Sequence, residues 1–216
     1  MYTSRSISSS LSFRDKIFSI DYFLVILLLI LGVISMFAMY SSGGGQFDYH
    51  TKNHIIRFVA FFLLFFIISF VPIKFWFQSS TLTYIVIFLL LLAVKYFGLS
   101  SSGSQRWINF YFINLQPSEL MKIALILFLA KYYHRIPTND VNKVKYLFLP
   151  IAALIAPVLL VVMQPDLGTS ILLAGGGMIV AWLAGVRIKF FAYLSILFLS
   201  LAPIAISFLK PYQKAR

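Results

Sequence analysis

Apolar residues in this chain come in long unbroken runs rather than in the alternations of a half-buried strand or the stripes of a surface helix. A membrane-crossing helix needs about 20 such residues, within a range of roughly 17–25. Runs at or just under that size are centred on 21–40, 55–71, 81–97, 118–133, 147–163, 169–184 and 190–209, the fourth interrupted by Glu119, Lys122 and Lys131. The punctuation between them fits. Ser41-Ser42-Gly43-Gly44-Gly45 follows the first run, Pro72 stops the second, and Gly98 closes the third. Leu99 to Pro117 and His134 to Lys145 read as polar loops, and residues 1–20 as a polar tail before the first helix. This pattern predicts an all-α membrane protein, a polytopic helical bundle of about seven transmembrane helices. Arg5, Arg14 and Lys16 precede the first run, but it is too long for the apolar stretch of a signal peptide and no small-residue cleavage motif follows.

Composition agrees. The 216 residues are 61% hydrophobic and 11% charged, with a mean hydropathy of +0.92. A water-soluble domain of this size needs more polar surface than that. The net charge of +12 would suggest nucleic acid in a soluble protein. Here the cations stand singly or in pairs beside apolar runs, which is how membrane proteins place them for topology and lipid headgroups; membrane lipids are the expected contacts and nucleic acid is not. With the N-terminus inside, the inner segments carry Arg5, Arg14, Lys16, Lys74, Lys131, Arg135, Lys143, Lys145, Arg187 and Lys189. The outer ones carry Lys52, Arg57, Lys95, Arg106, Lys210, Lys214 and Arg216. The inner excess predicts a cytoplasmic N-terminus. Cysteine is absent, which excludes disulfides, thiol catalysis and Cys-type zinc sites. His50, His54 and His134 fall in loops or at segment ends, with no metal-ligand pattern on an apolar helix face.

Few polar groups lie at membrane depth, where each is costly and therefore a functional candidate. Glu119 and Lys122 are one turn apart at the start of the fourth helix. Asp166 lies in Gln164-Pro165-Asp166-Leu167-Gly168-Thr169, where proline and glycine break the helix. Such a break is tolerated only against protein or water. Arg106 and Trp107 precede the fourth helix on the same side. Two readings stand side by side. In one, Arg106, Glu119, Lys122 and Asp166 converge to hold an anionic, lipid-linked substrate. In the other, a cation, Lys122 or Arg106, pairs with Asp166 or Glu119 only to neutralise buried charge. Asp166 also suits the N-cap of the sixth helix. Pro150, Pro157 and Gly175-Gly176-Gly177 predict loosened or closely packed helices. Ser118 and Lys122 miss the S-x-x-K spacing, and no G-x-S-x-G, P-loop or dinucleotide fingerprint occurs.

Three blocks carry a resemblance: Gly103-Ser104-Gln105-Arg106-Trp107-Ile108, then Leu115-Gln116-Pro117-Ser118-Glu119-Leu120-Met121-Lys122, then Gln164-Pro165-Asp166-Leu167-Gly168-Thr169-Ser170. In order and spacing they resemble the SEDS family, and its RodA branch more than its FtsW branch, which serves division. The resemblance implies a bacterial inner-membrane peptidoglycan glycosyltransferase. It would polymerise lipid II outside the membrane with a class B penicillin-binding protein, in cell elongation and rod-shape maintenance. It implies that Arg106 and Trp107 border the substrate cavity and that Gln116, Glu119, Lys122 and Asp166 belong to its polar network. It implies no cofactor beyond a divalent cation in the full-length enzyme. The family has about ten helices, more than the roughly seven that the apolar runs supply, and its catalytic carboxylate is an aspartate in the outer loop after the seventh. Residues 210–216 look like the opening of that loop, so the expectation is a catalytically incomplete portion with no catalytic residue of its own. A precursor flippase and a non-catalytic scaffold are the alternatives.

Overall fold

The computed structural model of the chain describes residues 13–101, 104–110 and 113–193. The tail 1–12, most of the seventh predicted helix and residues 210–216 lie outside the described residues. The chain forms two compact units, Met1–Trp76 and Phe77–Arg216.

The first unit holds α1 (Phe13–Phe18), α2 (Tyr22–Ser42) and α3 (Tyr49–Phe70). Asp21 caps α2 by accepting from the Leu24 N–H at 3.1 Å, and Asp48 caps α3 by accepting from the Thr51 N–H at 2.7 Å. The Asp48 carboxyl is held below its ordinary value, first by the Thr51 side chain and then by the Thr51 backbone. α3 therefore starts well before the apolar run at 55. Its first two turns are polar, and His50 and His54 lie inside the helix rather than in a loop. His54 Nε2 shares a hydrogen bond with Ser35 Oγ at 3.0 Å. Gly32, buried on α2, lets the Phe58 ring of α3 lie directly on the backbone, where a Cβ would collide with it. At the far end of α3, Lys16 Nζ donates to the Phe70 carbonyl at 2.8 Å, satisfying one of the acceptors that a helix C-terminus leaves open.

α4 (Ile73–Phe97) begins at once after Pro72, so Lys74 and Trp76 belong to its first turn and not to a loop. The second unit contains the rest of α4, with β1 (Leu99–Ser101), β2 (Ser104–Phe110), β3 (Ile113–Leu115), α5 (Pro117–His134), α6 (Val144–Met163) and α7 (Leu167–Leu183). The segment read as a loop is thus an antiparallel meander in the order β1-β2-β3, with Leu99 opposite Trp107 and Ile108 opposite Leu115. The bundle core joins Leu91, Met121, Leu125, Leu129, Val161 and Leu173. Gly177 of α7 sits where a Cβ would meet Leu154 of α6 and Leu125 and Leu129 of α5. The outer faces remain apolar: Phe61, Leu63, Phe148 and Ile171 are all more than half exposed, a surface suited to lipid. Among the described residues, α2, α3, α4 and α6 are long and apolar enough to cross a bilayer, and α7 is a shorter apolar helix. α5 carries Glu119, Lys122 and Lys131.

α6 keeps its path despite Pro150 and Pro157 inside it. A helical proline removes the N–H that would reach the carbonyl four residues back. Those carbonyls belong to Tyr146 and Ala153. Tyr132 Oη donates to the Tyr146 carbonyl at 2.9 Å, and Tyr84 Oη donates to the Ala153 carbonyl at 2.8 Å. Each freed acceptor has received a tyrosine from a neighbouring helix.

Two predictions follow from this packing. Tyr84→Phe is expected to destabilise the chain by about 1–3 kcal/mol, the cost of an unsatisfied buried acceptor. The loss should shrink when Pro157→Ala restores a backbone donor, as read by a double-mutant cycle on thermal unfolding in detergent. Gly177→Leu should cost about 1–3 kcal/mol through overpacking, whereas Gly175→Leu, with nothing within 4 Å of its added Cβ, should be close to neutral in the same assay.

Candidate functional site

The break between α6 and α7 organises the site. α6 ends at Met163 and α7 starts at Leu167, capped by Asp166. Asp166 Oδ1 accepts from the Thr169 N–H at 3.2 Å, and Oδ2 accepts from Thr169 Oγ1 at 2.9 Å. Gln116, the residue before α5, donates from Nε2 to Asp166 Oδ2 at 3.3 Å and to Ser118 Oγ at 3.1 Å. Arg106 comes from β2. Its Nη1 lies 3.6 Å from Asp166 Oδ2, its Nε donates to the Gln164 carbonyl at 3.3 Å, and its Nη2 donates to the Pro165 carbonyl. Gln164 turns its own side chain to the Leu91 carbonyl of α4 at 3.2 Å. Ser118, Gln164, Asp166, Thr169 and Ser170 are buried.

One guanidinium therefore fastens the meander to the helix break, covering two open carbonyls and a buried carboxylate. The planar fork of arginine suits this, and the shorter, single-headed lysine does not. The structure brings Arg106, Gln116 and Asp166 together and engages them with one another. Arg106 is spent on holding the break.

Lys122 does not bridge to Asp166. Its Nζ lies 2.9 and 2.8 Å from the two oxygens of Glu119, one turn back on α5. The nearer partner wins: an i,i+3 carboxylate needs no interhelical approach, and Asp166 already has Arg106. The Glu119 and Lys122 side chains are 52% and 25% exposed, so this pair is open to a ligand as Asp166 is not. Trp107, next to Arg106 on β2, is 37% exposed; strand alternation turns it away from the clamp. The six residues thus divide by partner rather than by exposure, the Arg106 and Lys122 side chains being 29% and 25% exposed: an interlocked set (Arg106, Gln116, Asp166) and a set outside that network (Trp107, Glu119, Lys122). Ser118, Gln164 and Thr169, all buried, each bond to a member of the interlocked set. Sequence reasoning quoted them in the motif blocks without giving them a place in the polar network.

No group of three or more His, Asp or Glu side chains stands ready for a metal among the described residues, and both Asp166 oxygens already accept from protein donors.

Breaking the clamp should be costly. Arg106→Gln leaves Asp166 without its cation and two carbonyls without donors. The expected loss is about 2–4 kcal/mol, measured by thermal unfolding in detergent. Asp166→Asn, which keeps an acceptor for the Thr169 N–H, should lose less.

The chain is similar to known proteins. A family model described as a cell cycle protein, spanning FtsW, RodA and SpoVE, matches residues 18–216. The probable peptidoglycan glycosyltransferase FtsW of Buchnera aphidicola subsp. Schizaphis graminum is 37% identical over 178 residues, covering 80% of this chain and 50% of that protein. The peptidoglycan glycosyltransferase MrdB of Escherichia coli K12 is 31% identical over 208 residues, 95% of this chain and 55% of its own length. A chain from a peptidoglycan synthase complex that coordinates polymerization and crosslinking superimposes with a TM-score of 0.75 at 25% identity, over 92% of this chain and 58% of that one. The chain spans about half the length of the curated relatives it matches.

Proposed function

Since this chain belongs to the FtsW, RodA and SpoVE family, we propose that it carries the lipid-II-binding portion of a RodA-type peptidoglycan glycosyltransferase. Such an enzyme works in the bacterial inner membrane, with the N-terminus cytoplasmic, beside a class B penicillin-binding protein in cell elongation. The observation that carries the reading is the division of the polar residues. Arg106, Gln116 and Asp166 are bonded to one another and to the α6–α7 break, while Trp107, Glu119 and Lys122 stand outside that network in the adjoining segments.

Lipid II joins a pyrophosphate to a disaccharide and a long apolar chain. The set outside the clamp suits those chemistries. The Lys122 ammonium exchanges Glu119 for a pyrophosphate oxygen, a stronger charge-assisted bond to a more highly charged anion. The Trp107 indole presents a flat face to a sugar, and the apolar flank of α5 receives the isoprenoid. Asp166, with every oxygen engaged, acts as a cap and counter-ion. It is poorly placed as a general base, which needs an unoccupied oxygen within reach of the proton it removes. The resemblance puts the family's catalytic aspartate in the loop after the seventh helix, so the residues described here bind and position.

Fluorescent lipid II titrated into the chain in nanodiscs is expected to bind saturably. Lys122→Gln should weaken it about tenfold or more, equivalent to roughly 1.4 kcal/mol, with the unfolding midpoint little changed. Binding that is equal for lipid II and undecaprenyl phosphate, or indifferent to both Lys122→Gln and Trp107→Ala, would overturn the proposal.

A further inference from the structure

The opposite end of the α5–α6–α7 bundle has a different charge balance. α5 and α7 end there and α6 begins. The cations are Lys131, Arg135, Lys143, Lys145, Arg187 and Lys189, and the acid is Asp140. Asp140 is already engaged, with Lys143 Nζ 2.7 Å from its Oδ1. Lys131 turns inward and donates to the Gln78 carbonyl at 2.9 Å and to Thr81 Oγ1 at 3.1 Å. Arg135 lies against Phe77, 5.8 Å from the ring centroid. Lys145 Nζ also lies 5.8 Å from a ring centroid, that of its neighbour Tyr146, but Lys145, Arg187 and Lys189 are all exposed and without a carboxylate in ion-pair range among the described residues.

These three do not dangle independently. Asn142 Nδ2 donates to the Gly185 carbonyl at 3.1 Å, and its Oδ1 accepts from the Arg187 N–H at 2.8 Å. The neighbours Val141 and Val186 are buried in the core. One asparagine thus staples the α5–α6 loop to the exit from α7, so the start of α6 and residues 187–189 form one basic ledge. Directly beside it the surface is apolar: Val144 is 83% exposed, Phe148 75%, Leu183 73% and Ile188 71%. Cations above a bare apolar flank match an amphiphile with an anionic head, and a soluble polyanion would leave the flank unused.

We propose that this ledge is a binding site for an anionic phospholipid, with the phosphodiester against Lys145, Arg187 and Lys189 and the acyl chains along Val144, Phe148 and Leu183. Setting orientation is completed during insertion and does not by itself require a lipid held by the folded protein. A site stabilises the folded state in proportion to its occupancy.

The test compares the full chain in nanodiscs of phosphatidylcholine with and without phosphatidylglycerol, reading the unfolding midpoint and, by native mass spectrometry, the lipid retained. Phosphatidylglycerol should raise the midpoint by several degrees and remain bound. Both effects should vanish in Lys145→Gln/Arg187→Gln/Lys189→Gln and persist in Lys145→Arg/Arg187→Lys/Lys189→Arg. In the unaltered chain, raised salt should remove much of the shift, which keeps the test decisive if the glutamine variant does not fold. No rise with phosphatidylglycerol, a rise that survives in the glutamine variant or at high salt, or an equal rise from inorganic phosphate would each overturn the proposal.

Discussion

Hydrocarbon offers a protein backbone no hydrogen bonds, so each N–H or C=O released by an irregularity must be met by another part of the chain. The polar side chains of this molecule are spent largely on that requirement. Lys16 meets the Phe70 carbonyl at the end of α3. Tyr132 and Tyr84 meet the two carbonyls that prolines release in α6. Arg106 meets two more where α6 gives way to α7. Three of the six acidic residues, Asp21, Asp48 and Asp166, stand at helix N-termini and accept the open N–H groups there. A chain so poor in polar groups cannot spare them twice. A residue engaged in this way is therefore a weaker candidate for ligand chemistry than its motif suggests.

The helices were legible in the sequence because apolar length is the quantity a bilayer selects. Their starts were not. α3 and α4 extend through polar turns outside the hydrocarbon, where the signal that counts is a capping aspartate or a proline rather than hydropathy. The meander was legible only in retrospect. Trp107-Ile108 and Ile113-Asn114-Leu115 have the β-branched and aromatic content of strands, but runs this short between serines and glycine look like loop. Pairing is a property of the partner segment, which no local window sees.

Of the site, the residue list was readable and the pairing was not. The sequence brought Arg106, Glu119, Lys122 and Asp166 forward because charge at membrane depth is rare, and Gln116 came only with the family resemblance. It could not say that Lys122 would take the carboxylate one turn away while Asp166 took an arginine from a strand 60 positions earlier (166 less 106). Local pairing carries no cost in interhelical geometry, whereas the long-range pair depends on a sheet the pattern did not reveal. The same gap explains the tyrosines. Nothing in their own neighbourhoods marks Tyr84 and Tyr132 as donors; Pro150 and Pro157 on another helix create the need.

The two ends of the second unit then have different physical tasks. Around the α6–α7 break, two acids and two cations balance (Glu119 and Asp166 against Arg106 and Lys122), so an anion entering there must displace a carboxylate from a cation. A site of the kind proposed there would discriminate, since only a ligand that outcompetes Glu119 for Lys122 would be held. At the other end, six cations face one acid, and an anion need displace nothing. Binding there is governed by screening and local concentration, the regime of lipid headgroups at a membrane surface. Selectivity at one end and permissive attraction at the other follow from the same scarcity: with so few acids in the chain, where each one sits decides which cations remain available.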